Sequence, residues 1–112
     1  MIDRAAIEKA INDPAFGTEG WLTFYLLGNP DRHEAMASAL GALEAINLRG
    51  GEGGFVYAKI AVPLDEREIE TRVKQVQALA DASGVEILVI DLDSTAAVER
   101  SKFYTLLRTP SE

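Results

Sequence analysis

Apolar positions along this 112-residue chain follow two rhythms, one returning every three or four residues and one every second residue. These spacings give a helix or a strand a single apolar face. Ile2, Ala6, Ile7, Ala10 and Ile11 keep the first rhythm and predict a short helix over 2–13, ended by Asn12-Asp13-Pro14. Trp21 to Leu27 is aromatic and β-favouring and reads as a strand. Asn29 and Pro30 then stand as N-cap and first residue of a helix running to about Ala45, with Met36, Leu40 and Leu43 on its inner face. Ile46 to Arg49 reads as a short strand, and Gly50-Gly51-Glu52-Gly53-Gly54 as a turn. The clearest strand, Phe55 to Val62, alternates Phe55, Tyr57, Lys59 and Ala61 with Val56, Ala58, Ile60 and Val62. Asp65 with Glu68 has the form of a capping box for a helix to about Ala82 along Ile69, Val73, Val76 and Ala80, which Ser83-Gly84 stops. Val85 to Leu92 is a further strand. A helical turn or two is expected from Ser94, and the apolar run Phe103 to Leu107 fits either a continued helix or an edge strand.

A hairpin set between two helices is the split βαβ pattern. The expectation is one α+β domain over residues 1–112: a ferredoxin-like βαββαβ sandwich with an extra N-terminal helix and a C-terminal extension. A parallel β-α-β-α-β sheet is the alternative if 46–49 is only loop. Both core helices of a ferredoxin-like sheet lie on one face. The aliphatic rows Leu22, Phe24, Leu26 and Val56, Ala58, Ile60, Val62 suit that covered face. Trp21, Tyr25, Phe55, Tyr57 and Lys59 then share the helix-free face and form the candidate binding surface. So many rings call for a cover: the chain's own N-terminal helix or C-terminal tail, a second copy in a homodimer, or a protein partner.

Charge narrows the partners. Eighteen acidic against eleven basic residues leave a net charge of -7, which disfavours direct nucleic-acid binding and favours a basic protein surface. The aromatic face resembles RNA-recognition sheets, but a Lys/Arg-Gly-Phe-type strand motif is missing. The absence of cysteine removes disulfides, thiol nucleophiles and cysteine metal sites. The opening residues lack the apolar stretch of a signal peptide, and no apolar run approaches the ~20 residues needed to span a bilayer. A soluble cytoplasmic domain with no membrane role is expected.

The sharpest chemical motif is Asp91-Leu92-Asp93-Ser94-Thr95 after the apolar strand Ile87 to Ile90. It resembles the first motif of haloacid dehalogenase-like phosphotransferases, in which one Asp is the nucleophile and the next the general acid/base beside magnesium. That family needs later strands to supply a lysine and further carboxylates, and little chain follows Thr95. A turn with Asp93 or Ser94 capping the next segment is the expected structure. The glycine turn precedes a strand and has no Gly-Lys-Ser or Gly-Lys-Thr, so it is not a phosphate loop. His33, the single histidine, has no nucleophile placed beside it. No catalytic constellation, metal site or cofactor is expected.

Trp21-Leu22-Thr23-Phe24-Tyr25, Ala35 to Ala45, Gly53-Gly54-Phe55-Val56-Tyr57-Ala58, Val62-Pro63-Leu64-Asp65 and Ile69 to Val85 together resemble the ribonuclease E inhibitor (RraB-like) family, small acidic domains with a variant ferredoxin-like fold. The family's Tyr-Asp-Gly-Trp-like ending is replaced by Ile90-Asp91-Leu92-Asp93. The resemblance implies a protein-binding regulator that docks on a ribonuclease. The leading expectation is therefore a non-enzymatic protein-binding regulator or adaptor. A small-ligand-binding or sheet-packed dimeric domain is the second, and a magnesium-dependent phosphohydrolase using Asp91 and Asp93 the third.

Overall fold

A computed structural model describes residues 2–28, 30–50, 55–95 and 102–109, with the backbone alone at 30–34, 46–50 and 55–56. The expected cap at Asn29, the glycine turn at 51–54 and the expected helical turns over 96–101 lie outside the described residues. So does the side chain of His33.

Asp3 starts the first helix by accepting hydrogen bonds from the backbone N–H groups of Ala5 and Ala6 at 2.9 and 3.3 Å, donors that a helix beginning leaves without intrahelical partners. This helix, α1, spans Arg4–Ile11. It is followed by β1 (Glu19–Leu27), α2 (Pro30–Ala42), β2 (Ile46–Gly50), β3 (Phe55–Pro63), α3 (Glu66–Ser83), β4 (Glu86–Asp93) and β5 (Phe103–Arg108). Asp65 caps α3 by accepting from Arg67 N–H at 3.2 Å. The reciprocal half of the expected capping box is not made: Asp65 N–H donates to the Pro63 carbonyl at 2.8 Å, and Glu68 faces Arg72 at 3.7 Å. Gly84 closes α3 in the left-handed region at φ 69°. Its N–H turns back to Asp81 and that of Val85 to Ala80, a Schellman ending that favours glycine.

The five strands are ordered β2-β3-β1-β4-β5, and every neighbouring pair is antiparallel. Each of the two βαβ units, β1-α2-β2 and β3-α3-β4, leaves a gap that the first strand of the other fills. This is the ferredoxin-like fold. Pairing of β2 with β3 removes the parallel-sheet alternative.

On one face Leu22, Phe24 and Leu26 meet Ala58, Ile60 and Val62 from β3 and Ile90 and Leu92 from β4, all fully or almost fully buried. Met36 and Leu40 of α2 and Ile69, Val76 and Ala80 of α3 close over them. The described strand of the C-terminal extension, β5, lies at the edge of the sheet. It pairs with the free edge of β4, and this widens the apolar face by Tyr104, Leu106 and Leu107. A wider sheet needs a wider helical layer. α1 supplies it, burying Ala6, Ile7 and Ala10, packing against β5 and α3, and donating from Asp3 N–H to the Leu106 carbonyl at 2.7 Å.

A polar clasp reinforces this docking. The carboxylate of Asp13, in the turn after α1, accepts from the Tyr104 hydroxyl at 2.7 Å and meets Lys102 Nζ at 2.6 Å. Lys102, then Tyr104 and the N–H of Ala15, hold the Asp13 carboxyl down at about 2. A carboxyl lowered by folding stabilises the native state above its unfolded value and loses that contribution as pH falls through its native one. Asp13→Asn is expected to lower Tm at pH 7, with the gap closing as the pH is brought down toward 2. Thermal melts across that range check it.

Candidate functional site

Alternation along β1 turns Trp21, Thr23, Tyr25 and Leu27 away from the helices. In register, Thr23 stands opposite Lys59 on β3 and Asp91 on β4, and Asp91 stands opposite Thr105 on β5. A polar row thus crosses four strands on the face that no described helix covers. It is nevertheless buried: Lys59 is 2% exposed, Asp93 5% and Asp91 8%. Lys59 Nζ donates to Asp93 Oδ2 at 3.0 Å and to the Thr95 carbonyl at 3.3 Å. The Thr23 hydroxyl donates to the same Asp93 oxygen, and Thr105 Oγ1 donates to Asp91 Oδ1 at 2.8 Å.

Stripping two ions of water costs several kcal/mol each unless geometry and further hydrogen bonds offset it. The Asp93 carboxylate and Lys59 ammonium have both. Asp91 is differently placed. Burial raises its pKa, the Thr105 hydrogen bond opposes that, and the Asp93 charge adds to it. A carboxyl raised by folding holds its proton more tightly in the native state, so its ionisation weakens the fold above the native pKa and has no effect below the ordinary carboxyl range. Asp91→Asn keeps an acceptor for Thr105 and removes the charge. It is expected to raise Tm at pH 7 and to lose the advantage toward about pH 3, opposite in sign to Asp13→Asn. A lower Tm at pH 7 would contradict this account.

Beside the polar row runs an open one. Tyr25 faces Tyr57 across β1 and β3, the rings 5.5 Å apart and tilted by 45°. Val89 pairs with Tyr25 from β4, and Arg108 pairs with Val89 from β5. Tyr25 is 36% exposed and Arg108 is exposed. Partial burial raises the Tyr25 hydroxyl pKa, and the nearby charges of Asp91 and Asp93 raise it further. At the far corner Phe103, 54% exposed, pairs with Asp93.

The residues expected to share a binding face separate into distinct roles. Tyr25 and Tyr57 form the ring pair. Lys59 lies on the same face but is sealed beneath the surface by its ion pair, so it supports the face and does not reach a ligand. Trp21 is half-buried and lines a cleft with Leu43 and Arg72 where β2 has ended and β3 has a free edge. There Arg72 Nε donates to the Ala61 carbonyl at 3.3 Å. Phe55 pairs with Leu27 through its backbone, and its side chain lies outside the described residues.

The Asp93 carboxylate is engaged by Lys59 and Thr23, and the segment that it or Ser94 was expected to cap lies outside the described residues. Ser94 closes the β4–β5 connection, its N–H donating to the Lys102 carbonyl at 2.8 Å and its Oγ accepting from Lys102 N–H at 3.0 Å. Asp91 and Asp93 do converge with a lysine, but these groups are engaged with one another and with two threonines. Thr105 and Arg108 escaped the sequence reading. The available signal was Lys59 itself, a lysine in the middle of an apolar strand, which needs a buried carboxylate elsewhere. Among the described residues no group of three histidine, aspartate or glutamate side chains could hold a metal ion, and no helix is long and apolar enough to cross a membrane.

No family model, curated protein or solved structure matches the chain.

Proposed function

We propose that this domain is a non-enzymatic, cytoplasmic protein-binding regulator that presents the open row Tyr57, Tyr25, Val89 and Arg108 to its partner. The carrying observation is the exposed Tyr25 ring, paired at a tilt with Tyr57 on a sheet face that no described helix covers. Tyrosine and arginine are the side chains that most often dominate protein interfaces. Here they stand on rigid strands over a buried ionic network, so little conformational freedom is lost on docking. The acidic net charge suits a basic partner. The resemblance to ribonuclease E inhibitors makes a ribonuclease the first partner to test.

The test is a tagged pull-down from the native cell with the wild type, Tyr25→Asp and Arg108→Glu, each checked for an unchanged melting profile. A ribonuclease retained by the wild type and lost by both variants is the expected result. Equal retention by Tyr25→Asp would remove the sheet face from the reading, and no retained protein at all would remove the regulator. Light scattering separates the second reading, a sheet-packed homodimer: a wild-type dimer that becomes monomeric in Tyr25→Asp would establish it instead.

A further inference from the structure

α1 has eight residues and covers only part of the widened sheet. Where it begins, a cleft of about 400 Å³ opens toward α3, lined by Ile2, Val73, Ile90 and Leu107. Ile2, Val73 and Leu107 are each partly exposed. Its polar lining is Arg4, Glu70, Lys74 and Gln77. It lies on the helical side of the sheet, away from Tyr25.

The rim charges are uneven for a specific reason. Glu70 and Lys74 are one turn apart on α3, the spacing at which Glu and Lys pair on a helix surface. Glu70 is instead engaged by Arg4 of α1 at 3.3 Å, and Arg4 also meets Glu66 at 3.5 Å. Docking of α1 therefore takes the natural partner of Lys74. Among the described residues no carboxylate lies within ion-pair distance of Lys74. Lys74 thus offers its ammonium beside an apolar cleft.

We propose that this cleft binds a small amphipathic carboxylate, its apolar chain against Ile2, Val73 and Leu107 and its carboxylate on Lys74 Nζ. The volume lies within the range of small-molecule sites, which combine an apolar lining with a few polar groups that fix orientation. A single carboxylate matches a single ammonium. A polyphosphate would bring several negative charges toward Glu70, where the second lining cation, Arg4, is already paired with that carboxylate.

The probe is sodium decanoate below micelle-forming concentrations, followed by calorimetry and by amide chemical shifts, with decanol and decyltrimethylammonium as neutral and cationic counterparts. Saturable one-to-one binding of decanoate is expected, with shifts centred on Val73, Lys74, Gln77 and Leu107. Lys74→Glu, an exposed change, is expected to weaken binding about tenfold or more with an unchanged melting profile, and Lys74→Arg to retain it. Decanol binding as tightly as decanoate, unchanged affinity in Lys74→Glu, or no saturable shifts would each overturn the proposal.

Discussion

Lys59→Met is expected to cost ~3–5 kcal/mol of folding stability, the range for breaking a buried ion pair by removing one partner. The loss is large because the Asp93 carboxylate remains buried, 5% exposed, after the ammonium that pairs with it at 3.0 Å has gone. The Thr95 carbonyl loses its ammonium donor too. The informative comparison is the double variant Lys59→Met/Asp93→Leu. A packed apolar pair of similar volume avoids the desolvation of both ions, so most of the stability should return. Urea denaturation of the four proteins of the cycle measures the coupling directly. A single-variant loss below about 1 kcal/mol would place the pair among weakly contributing surface bridges. A double variant no better than Lys59→Met would show that the network's shape, and not its charge balance, holds this face together.

Ile7→Ala is expected to cost ~2–5 kcal/mol, the range for truncating a fully buried Ile to Ala without full collapse of the cavity. Ile7 is fully buried, at the centre of the α1 surface that covers β5. The cost should be distributed unevenly. Amides of β5 are expected to exchange faster in the variant than those of β1 and β3, because β5 has one sheet neighbour and relies on α1, whereas β1 is paired on both sides. Uniform loss of protection across all five strands would mean that α1 and β5 belong to the same cooperative unit as the ferredoxin-like core.

Local rules carried the sequence reading a long way. Ile69, Val76 and Ala80 are buried at helical spacing, Leu22, Phe24 and Leu26 at strand spacing, and Gly84 adopts the backbone that ends α3. Each depends on a few neighbouring residues. What those rules left open depended on groups far away in the chain. Phe103 to Leu107 is too short and too apolar for its period to choose between helix and strand, and the open edge of β4 made the choice. Asp93 reads locally as a turn residue, and only the buried lysine 34 residues earlier shows that its carboxylate is also half of an ion pair. The α1 segment was expected as a possible cover for the aromatic face. It went to the other side because β5 created new apolar surface there. The Tyr25–Tyr57 pair was legible from alternation alone, while the depth of Lys59 required knowing that two aspartates end a strand beside it.

The hydrogen bond from Asp3 to Leu106 joins positions near opposite ends of the described chain, and the β1 pairings with β3 and β4 are also distant in sequence. Only β2–β3 and β4–β5 are neighbours along the chain. Such a contact pattern slows the search for the native state, to the order of milliseconds to seconds for sheet-rich domains. Most of the surface that α1 docks on is missing until β5 has paired with β4. Its closure is then a late event on the folding path, and weakening it should quicken unfolding far more than it delays folding.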